Sequence, residues 1–182
     1  MTIDLIVTWP SNADYPLFRE WLKDNSFRFR MVYVIVHKTN TLPDLRSFVQ
    51  ESIDIDNLAW VTYNDVPSDR DWRDYGIQFA LDDSTADRVL FIEQDFFMYE
   101  GFWDKVDDYI EYPVIGILDS GRWHPCFLLI TREALEKTCR NFGIVPNKLD
   151  HFGLIQKDME AGKCGSLTAI PDYPKEQDKL YH

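Results

Sequence analysis

Short apolar runs alternate with amphipathic stretches along the chain. The first run, Ile3 to Trp9, ends at Pro10, and apolar residues then recur at helical spacing between Tyr15 and Leu22. Apolar and β-branched runs bounded by turn-forming residues predict strands, whereas apolar residues at every third or fourth position predict a helix that buries one face. The beginning of the chain therefore predicts a strand followed by an amphipathic helix.

The same alternation continues up to a polar tail that begins at Asp172. Further strands are predicted at residues 31–37, 58–63, 87–93, 114–118, 126–130 and 167–170. Helices are predicted as a short one from Pro43, then at 69–83, at 102–110, after Thr131, which can cap a helix with Glu133 close behind, and at 150–161. Strands alternating with helices predict an α/β domain with a mostly parallel mixed central sheet flanked by helices. At 182 residues the chain is long enough for one well-buried domain and short for two.

The predicted helix at 69–83 has a mixed composition. Its residues Trp72, Tyr75, Gly76, Phe79 and Ala80 lie along one side. The helix leads directly into the strand at 87–93.

That strand runs straight into two carboxylates. Its apolar core from Val89 to Ile92 is followed by Glu93, Gln94 and Asp95. Side chains two positions apart in an extended chain point the same way, so Glu93 and Asp95 can converge on one cation while Gln94 faces away. Hard divalent ions are commonly held by one or two carboxylates together with phosphate oxygens, and the carboxyl end of such a strand is where α/β sheets bind ligands. The alternative is that acidic residues simply end the strand in solvent.

The charge of the chain narrows its partners. The formal net charge is −12 and the isoelectric point is near 4.6, and no run of Lys and Arg forms a basic patch. Such a chain repels phosphate backbones, so we expect neither a nucleic-acid partner nor an anionic membrane surface. A nucleotide could still bind if a divalent cation bridged the like charges.

The cysteines and the apolar segments indicate the compartment. Cys126, Cys139 and Cys164 form no Cys-x-x-Cys pair, so neither a disulfide framework nor a zinc site is expected. No apolar run approaches the roughly twenty residues of a transmembrane helix. We expect a soluble, reduced, cytoplasmic protein, which a partner could still bring to a membrane.

Four segments together resemble family 2 glycosyltransferases, which have the Rossmann-like GT-A fold. They occur in the order and spacing of that family and span the chain from about Ile3 to Pro171. They are the turn Thr8-Trp9-Pro10-Ser11-Asn12, the helix from Asp71 to Ala80, which is similar to Ala-Arg-Asn-x-Gly-x-x-x-Ala, the Asp-x-Asp-like Glu93-Gln94-Asp95, and Leu149-Asp150-His151-Phe152 with Ile155-Gln156-Lys157, Gly162 and Pro171 downstream.

The resemblance implies a reaction and a set of ligands. It implies a single domain over residues 1–182, with a nucleotide-sugar-binding half at 1–98, an acceptor half at 99–171 and a tail at 172–182. It implies an enzyme that moves a sugar from a nucleoside diphosphate donor to an acceptor hydroxyl, with inversion, on a sugar, lipid-linked or protein acceptor. Mn²⁺ or Mg²⁺ on Asp95 and Glu93 would neutralise the diphosphate leaving group.

The resemblance also implies roles for residues away from the metal. Donor contacts are expected from Thr8, Pro10, Asn12, Gln94 and Glu93. Asp150 would be the general base that deprotonates the acceptor, although it also lies where a helix N-cap would.

Three further residues have two interpretations each. Arg73 could reach the diphosphate, or pair with Asp69 or Asp74 on its helix. Trp123 and His124, in a predicted loop, could contact the acceptor, but a tryptophan is often a packing residue and a lone histidine often has no catalytic or binding role.

The sequence departs from the family in three places. The second strand normally ends in a nucleotide-recognising Asp, whereas here it ends in His37 and Lys38. The first acidic ligand is Glu93 instead of Asp, and we expect no C-terminal extension for acceptor binding. These departures leave two alternatives: a degenerate GT-A domain acting as a binding or assembly module, and a nucleotidyltransferase. The latter is disfavoured because residues 8–14 lack a Gly- and Lys-containing phosphate loop.

Overall fold

Seven strands form one continuous sheet in the computed structural model. The structure describes residues 1–9, 15–37, 55–63, 66, 71–93, 96, 98, 101–119, 122–142 and 152–170. The strands are β1 Ile3–Trp9, β2 Val32–His37, β3 Leu58–Tyr63, β4 Arg88–Glu93, β5 Val114–Asp119, β6 Arg122–Thr131 and β7 Leu167–Ala169. Their order across the sheet is β3-β2-β1-β4-β6-β5-β7.

The sheet is mixed and mostly parallel, as the sequence predicts. Strands β1 to β4 are parallel to one another and β5 pairs in parallel with β7, whereas β6 runs antiparallel to both β4 and β5. Because β2 and β3 lie on one side of β1 and β4 lies on the other, the strand order reverses between β1 and β4. This reversal is the topological switch point of the sheet.

Five α-helices and one 3₁₀ helix are present in the described part of the chain. They are α1 Tyr15–Asn25, the 3₁₀ helix Ser26–Arg28, α2 Trp72–Asp83, α3 Phe102–Asp107, α4 Arg132–Glu136 and α5 Gly153–Glu160. The predicted helix from Pro43 lies outside the described residues. No described helix is long and apolar enough to cross a membrane.

Each face of the sheet has its own apolar core. On one face Leu5 and Leu90 pack with α1, α3 and the ring of Phe96. On the other face Ile6 and Phe91 pack with α2, α4 and α5. Strands buried on both faces have continuous apolar sequences, which explains why β1 and β4 lack hydrophobic alternation.

Helix α2 corrects one predicted packing face. The helix packs on the sheet through Gly76, Ile77, Ala80 and Leu81, whereas Phe79 is 57% exposed. The buried face of α2 is therefore rotated by about one residue from the face that the sequence predicted. Apolar residues occur on two adjacent sides of this helix, and the sequence pattern alone does not decide which side faces the sheet.

Strand β6 corrects a predicted loop. The sequence predicted a strand only at 126–130, but pairing continues back to Arg122, so His124 lies in a strand opposite Ile117. The register shifts between Gly116 and Ile117, and this irregularity accommodates Pro125, which cannot donate a ladder hydrogen bond.

Candidate active site

The crevice at the switch point lies between the carboxyl ends of β1 and β4. Thr8 and Glu93 are directly paired partners there, one residue from the end of β1 and at the last position of β4. In open α/β sheets, ligands bind outside the carboxyl ends of the strands at such a reversal. The topology therefore brings together two of the residues that the sequence assigned to the donor site.

Thr8 and Glu93 lie on the same face of the sheet. Side chains alternate along a strand, so Thr8 shares the face of Ile6, and Glu93 shares the face of Phe91. Both of these apolar residues belong to the core that α2 and α5 cover. Thr8 is 5% exposed and Glu93 is half-buried. The pair thus lies at the boundary of that core, at the carboxyl edge of the sheet.

The chain beyond Glu93 is anchored again at Phe96. The backbone N–H of Phe96 donates to the carbonyl oxygen of Glu93 at 3.1 Å. The Phe96 ring packs against Phe102 and Phe127, with centroids 5.8 and 5.6 Å apart. Gln94 and Asp95, between these anchors, lie outside the described residues, as do Pro10 and Asn12.

The first turn of α2 lies at the same edge of the sheet. The other end of this helix is held at the amino edge, because Ser84 hydrogen bonds to Asp4 near the start of β1 and Asp83 accepts from Tyr33 near the start of β2. A twelve-residue helix is about 18 Å long, close to the length of the strands that it covers. Arg73 therefore lies towards the carboxyl edge.

Arg73 is positioned by a capped helix start. Asp71 is the N-cap, and its Oδ1 accepts from the backbone N–H groups of Arg73 and Asp74 at 2.9 and 3.3 Å. The Arg73 guanidinium lies over the Trp72 ring, 4.9 Å from its centroid. The carboxylate of Asp74, which the sequence suggested as a partner of Arg73, instead accepts from the backbone N–H of Phe142 at 2.8 Å.

Trp123 lies on the face of Thr8 and Glu93, over β5. It is half-buried and packs on the core beneath α2 and α5. A Cβ added to Gly116 would lie 2.7 Å from its indole Cε3, so the ring rests on the bare glycine backbone. Trp123 also lines a small apolar pocket, together with Phe127, Leu128, Phe152, Ile155, Gln156 and Met159. Its packing role is thus defined, and its acceptor role stays a prediction.

Three phenylalanines form a cluster on the face of the sheet that carries Glu93. The rings of Phe91, Phe142 and Phe152 lie 5.0 to 5.3 Å apart. Phe142 and Phe152 flank residues 143–151, which lie outside the described residues and include Asp150. No local sequence pattern predicts this cluster, because its members come from three separate segments.

The helix after Asp150 begins later than the sequence predicted. α5 starts at Gly153, and its N-cap is Phe152, which has a left-handed backbone with φ 62° and no side-chain capping bond. The predicted start at residue 150 was wrong, and so was the interpretation of Asp150 as the N-cap of this helix. The N-cap residue of α5 instead buries its ring in the phenylalanine cluster.

A divalent cation at the switch point would need carboxylate ligands there. Among the residues that the structure describes, no three His, Cys, Asp or Glu side chains form a cluster. In the described part of the chain, Glu93 supplies a half-buried carboxylate at the switch point. One or two carboxylates with phosphate oxygens suffice for Mg²⁺ or Mn²⁺ in nucleotide sites, so this donor set fits a metal that arrives with a diphosphate.

Comparison by sequence identifies no relative: no family model and no curated protein matches this chain. Comparison by structure does. A mannosyltransferase from Pyrobaculum calidifontis in complex with GDP-Man and Mn²⁺ superposes with a TM-score of 0.65 at 16% identity, over 93% of this chain and 55% of that one. S. aureus TarS 1–349 in complex with UDP-GlcNAc gives 0.63 at 16% identity, over 94% and 56%.

A third structure agrees with these two. Glucosyl-3-phosphoglycerate synthase from Mycobacterium tuberculosis, in complex with Mn²⁺, UDP and glucosyl-3-phosphoglycerate, gives a TM-score of 0.64 at 14% identity, over 98% of this chain and 74% of that one. The chain thus spans just over half the length of the first two. These superpositions establish the fold. The protein has the Rossmann-like GT-A fold found in nucleotide-sugar glycosyltransferases, as its motifs predicted.

Proposed function

We propose that the protein is a metal-dependent glycosyltransferase that moves a sugar from a nucleoside diphosphate donor to an acceptor hydroxyl, with inversion. The observation that carries the proposal is the pairing of Thr8 with Glu93 at the switch point, on the face covered by α2. A ligand in this crevice would contact a hydroxyl, a carboxylate and the first turn of a helix together. The GT-A fold and the nucleotide sugars bound by its structural neighbours support the same proposal.

The donor diphosphate would lie between β4 and α2. Glu93 and Asp95 would hold the divalent cation, which when bound neutralises charge on the leaving diphosphate. Arg73, on the first turn of α2, would donate to the diphosphate oxygens. We assign the remaining donor contacts to Thr8, Pro10, Asn12 and Gln94, all within the proposed donor half, residues 1–98.

The acceptor would approach from the β5 and α5 side. Asp150 precedes Phe152 by two residues, and the Phe152 ring touches Phe91, which precedes Glu93 by two. Two residues span at most about 7 Å, so we assign Asp150 to the same edge as Glu93 and give it the role of general base. Trp123 and His124, at the start of β6, would contact the acceptor.

Titration calorimetry tests the donor site. GDP and UDP, each with and without Mn²⁺, are titrated into the parent protein and into Asp95→Ala, with Asp87→Ala as a control carboxylate at the opposite edge of the sheet. We expect Mn²⁺-dependent nucleotide binding in the parent and in Asp87→Ala, and its loss in Asp95→Ala with unchanged unfolding. Mn²⁺-dependent binding that persists in Asp95→Ala would contradict the metal assignment.

Transfer and binding together separate the proposal from its alternatives. GDP-mannose, UDP-GlcNAc and UDP-glucose are offered to the parent with Mn²⁺ and a panel of hydroxyl acceptors. Release of nucleoside diphosphate supports a transferase, whereas release of pyrophosphate from a nucleoside triphosphate and a sugar phosphate supports a nucleotidyltransferase. Absence of any metal-dependent nucleotide binding would support the binding or assembly module.

A further inference from the structure

Helix α2 carries a row of polar side chains that contact one distant segment. Asp74 Oδ1 accepts from the backbone N–H of Phe142 at 2.8 Å, Gln78 Nε2 donates to the carbonyl oxygen of Arg140, and Asp82 pairs with the Arg140 guanidinium at 3.3 Å. Residues four apart lie above one another on a helix, so these three side chains form one stripe. The stripe connects α2 to the chain that leads into the phenylalanine cluster.

The three contacts differ in their surroundings. Asp82 is 76% exposed, and an ion pair in that position contributes little. The contact of Asp74 is half-buried and satisfies the backbone N–H of Phe142, whose side chain is fully buried. A carboxylate that accepts from a backbone N–H in such a place makes a charge-assisted bond, and losing it leaves the donor without its partner.

Asp74 also lies beside the proposed diphosphate contact. It follows Arg73 directly, and the Asp71 carboxylate caps both of their backbone N–H groups. An acidic residue in a first helical turn is favourable by itself through the helix dipole. That general effect does not require an acceptor aimed at Phe142, so the observed bond indicates an additional role.

We propose that Asp74 is a positioning residue: its carboxylate oxygen fixes the first turn of α2, with Arg73, against the Phe91–Phe142–Phe152 cluster that forms the floor of the acceptor side. This inference rests on the proposed function, because it is Arg73 that would hold the diphosphate. It extends that function by setting the distance between the donor and acceptor sides through one side chain.

The matched variants are Asp74→Ala, Asp74→Asn and Asp82→Ala. Asp74→Ala removes the acceptor, Asp74→Asn keeps an acceptor oxygen without the charge, and Asp82→Ala removes a carboxylate from the same stripe at the surface. The first measurement is amide hydrogen exchange at Phe142 by NMR, in the ligand-free protein. We expect exchange at least about ten-fold faster in Asp74→Ala, and near-parent exchange in the other two variants.

The second measurement is steady-state transfer with the donor that the parent uses. We expect kcat to fall about ten-fold in Asp74→Ala, with a smaller change in KM for the donor, and to recover in Asp74→Asn. Phe142 exchange that does not change in Asp74→Ala overturns the proposal, as does an Asp74→Asn variant as impaired as Asp74→Ala, since charge alone would then explain the effect. If the parent transfers no sugar, the proposed function fails, and the exchange measurement still decides whether Asp74 fixes Phe142.

Discussion

At the level of single residues, Phe152 determines how the chain enters α5. Its φ of 62° places it in the left-handed region, which costs a non-glycine residue roughly 1–2 kcal/mol. Its ring is buried against Phe91 and Phe142. Burial of a large aromatic side chain contributes about 1.5–3 kcal/mol, which offsets that cost. Phe152, and not Asp150, therefore occupies the N-cap position of α5.

Asp150→Asn tests the general base that we assign. We expect turnover to fall by roughly two to four orders of magnitude, because an amide cannot accept the acceptor proton. The melting temperature should stay near the parent value, since Phe152, and not Asp150, occupies the N-cap position of α5. Initial rates and thermal unfolding are measured on the same preparations. An Asp150→Asn variant that retains turnover would remove Asp150 from the mechanism.

At the level of elements, the sequence predicted β1 and β3 with their observed bounds. It missed the exact ends of two other elements. Strand β2 begins at Val32 and not at Met31, because the backbone N–H of Met31 donates to the carboxylate of Asp4 instead of joining the sheet. Helix α3 ends at Asp107, three residues earlier than predicted. No local pattern contains the contact between Met31 and Asp4.

The sequence predicted some features of the candidate site and not others, for a physical reason. Glu93 lies where the buried strand β4 ends, and a strand end is visible in the sequence as an apolar run meeting carboxylates. The partnership of Asp74 with Phe142 joins residues 68 positions apart, so only the folded chain reveals it. Asp95 and Asp150 remain predictions.

The close packing of Trp123 in β6 on Gly116 in β5 gives a prediction for Gly116. In Gly116→Ala the new methyl group would lie 2.7 Å from the Trp123 indole, so the ring or the strand must move. We expect the free energy of unfolding to fall by about 1–3 kcal/mol, as for other overpacked cores. Urea unfolding of Gly116→Ala, Trp123→Ala and the double variant measures the coupling. Equal costs of Gly116→Ala with and without Trp123 would contradict this contact.

Helix α5 gives a prediction for the pH dependence of stability. Asp158 accepts from the Lys163 ammonium and from the backbone N–H of Cys139, which lower the pKa of its carboxyl below the usual 3.8. A carboxyl with a lowered pKa in the folded state stabilises it fully above the unfolded pKa and loses this contribution as pH falls through the folded value. Asp158 thus ties α5 to the segment after α4 at neutral pH.

The corresponding variant is Asp158→Asn, which does not titrate. We expect it to be less stable than the parent at pH 7, with a difference that shrinks as pH falls below about 4. Urea unfolding between pH 2.5 and 7 measures this difference. In a Lys163→Ala background the cost of Asp158→Asn should be smaller. A difference that stays constant down to the lowest pH would refute the linkage.

At the level of the whole molecule, the two edges of the sheet differ in kind. The carboxyl edge carries the candidate site, whereas the amino edge carries a buried polar network. Asp4, with no exposed surface, accepts from Arg30 and Ser84 at 2.5 Å each and from the Met31 backbone at 3.0 Å, and Arg132 donates to Ser84. The network joins β1, the entry to β2, the end of α2 and the start of α4.

Asp4→Ala tests the division between the two edges. Removing one partner of a buried charged pair typically costs about 3–5 kcal/mol, and we expect the lower end because Arg30 is partly exposed. Asp87→Ala, which removes an exposed carboxylate at the same edge, should cost much less than Asp4→Ala, because solvent screens the charge of Asp87. Nucleotide affinity at a temperature where both variants are folded should equal that of the parent. A loss of affinity in Asp4→Ala would show that the edges are coupled.

The phenylalanine cluster has a consequence for how such a protein can diversify. Phe142 and Phe152 touch each other, with 5.2 Å between their ring centroids, although nine residues separate them in the sequence. The entropic cost of holding two positions of a chain together grows only slowly with the number of residues between them. We therefore expect that residues can be inserted between Phe142 and the proposed general base, Asp150, at little cost in stability while the two rings keep their contact. The stability of the scaffold and the acceptor preference of the proposed enzyme can then evolve separately.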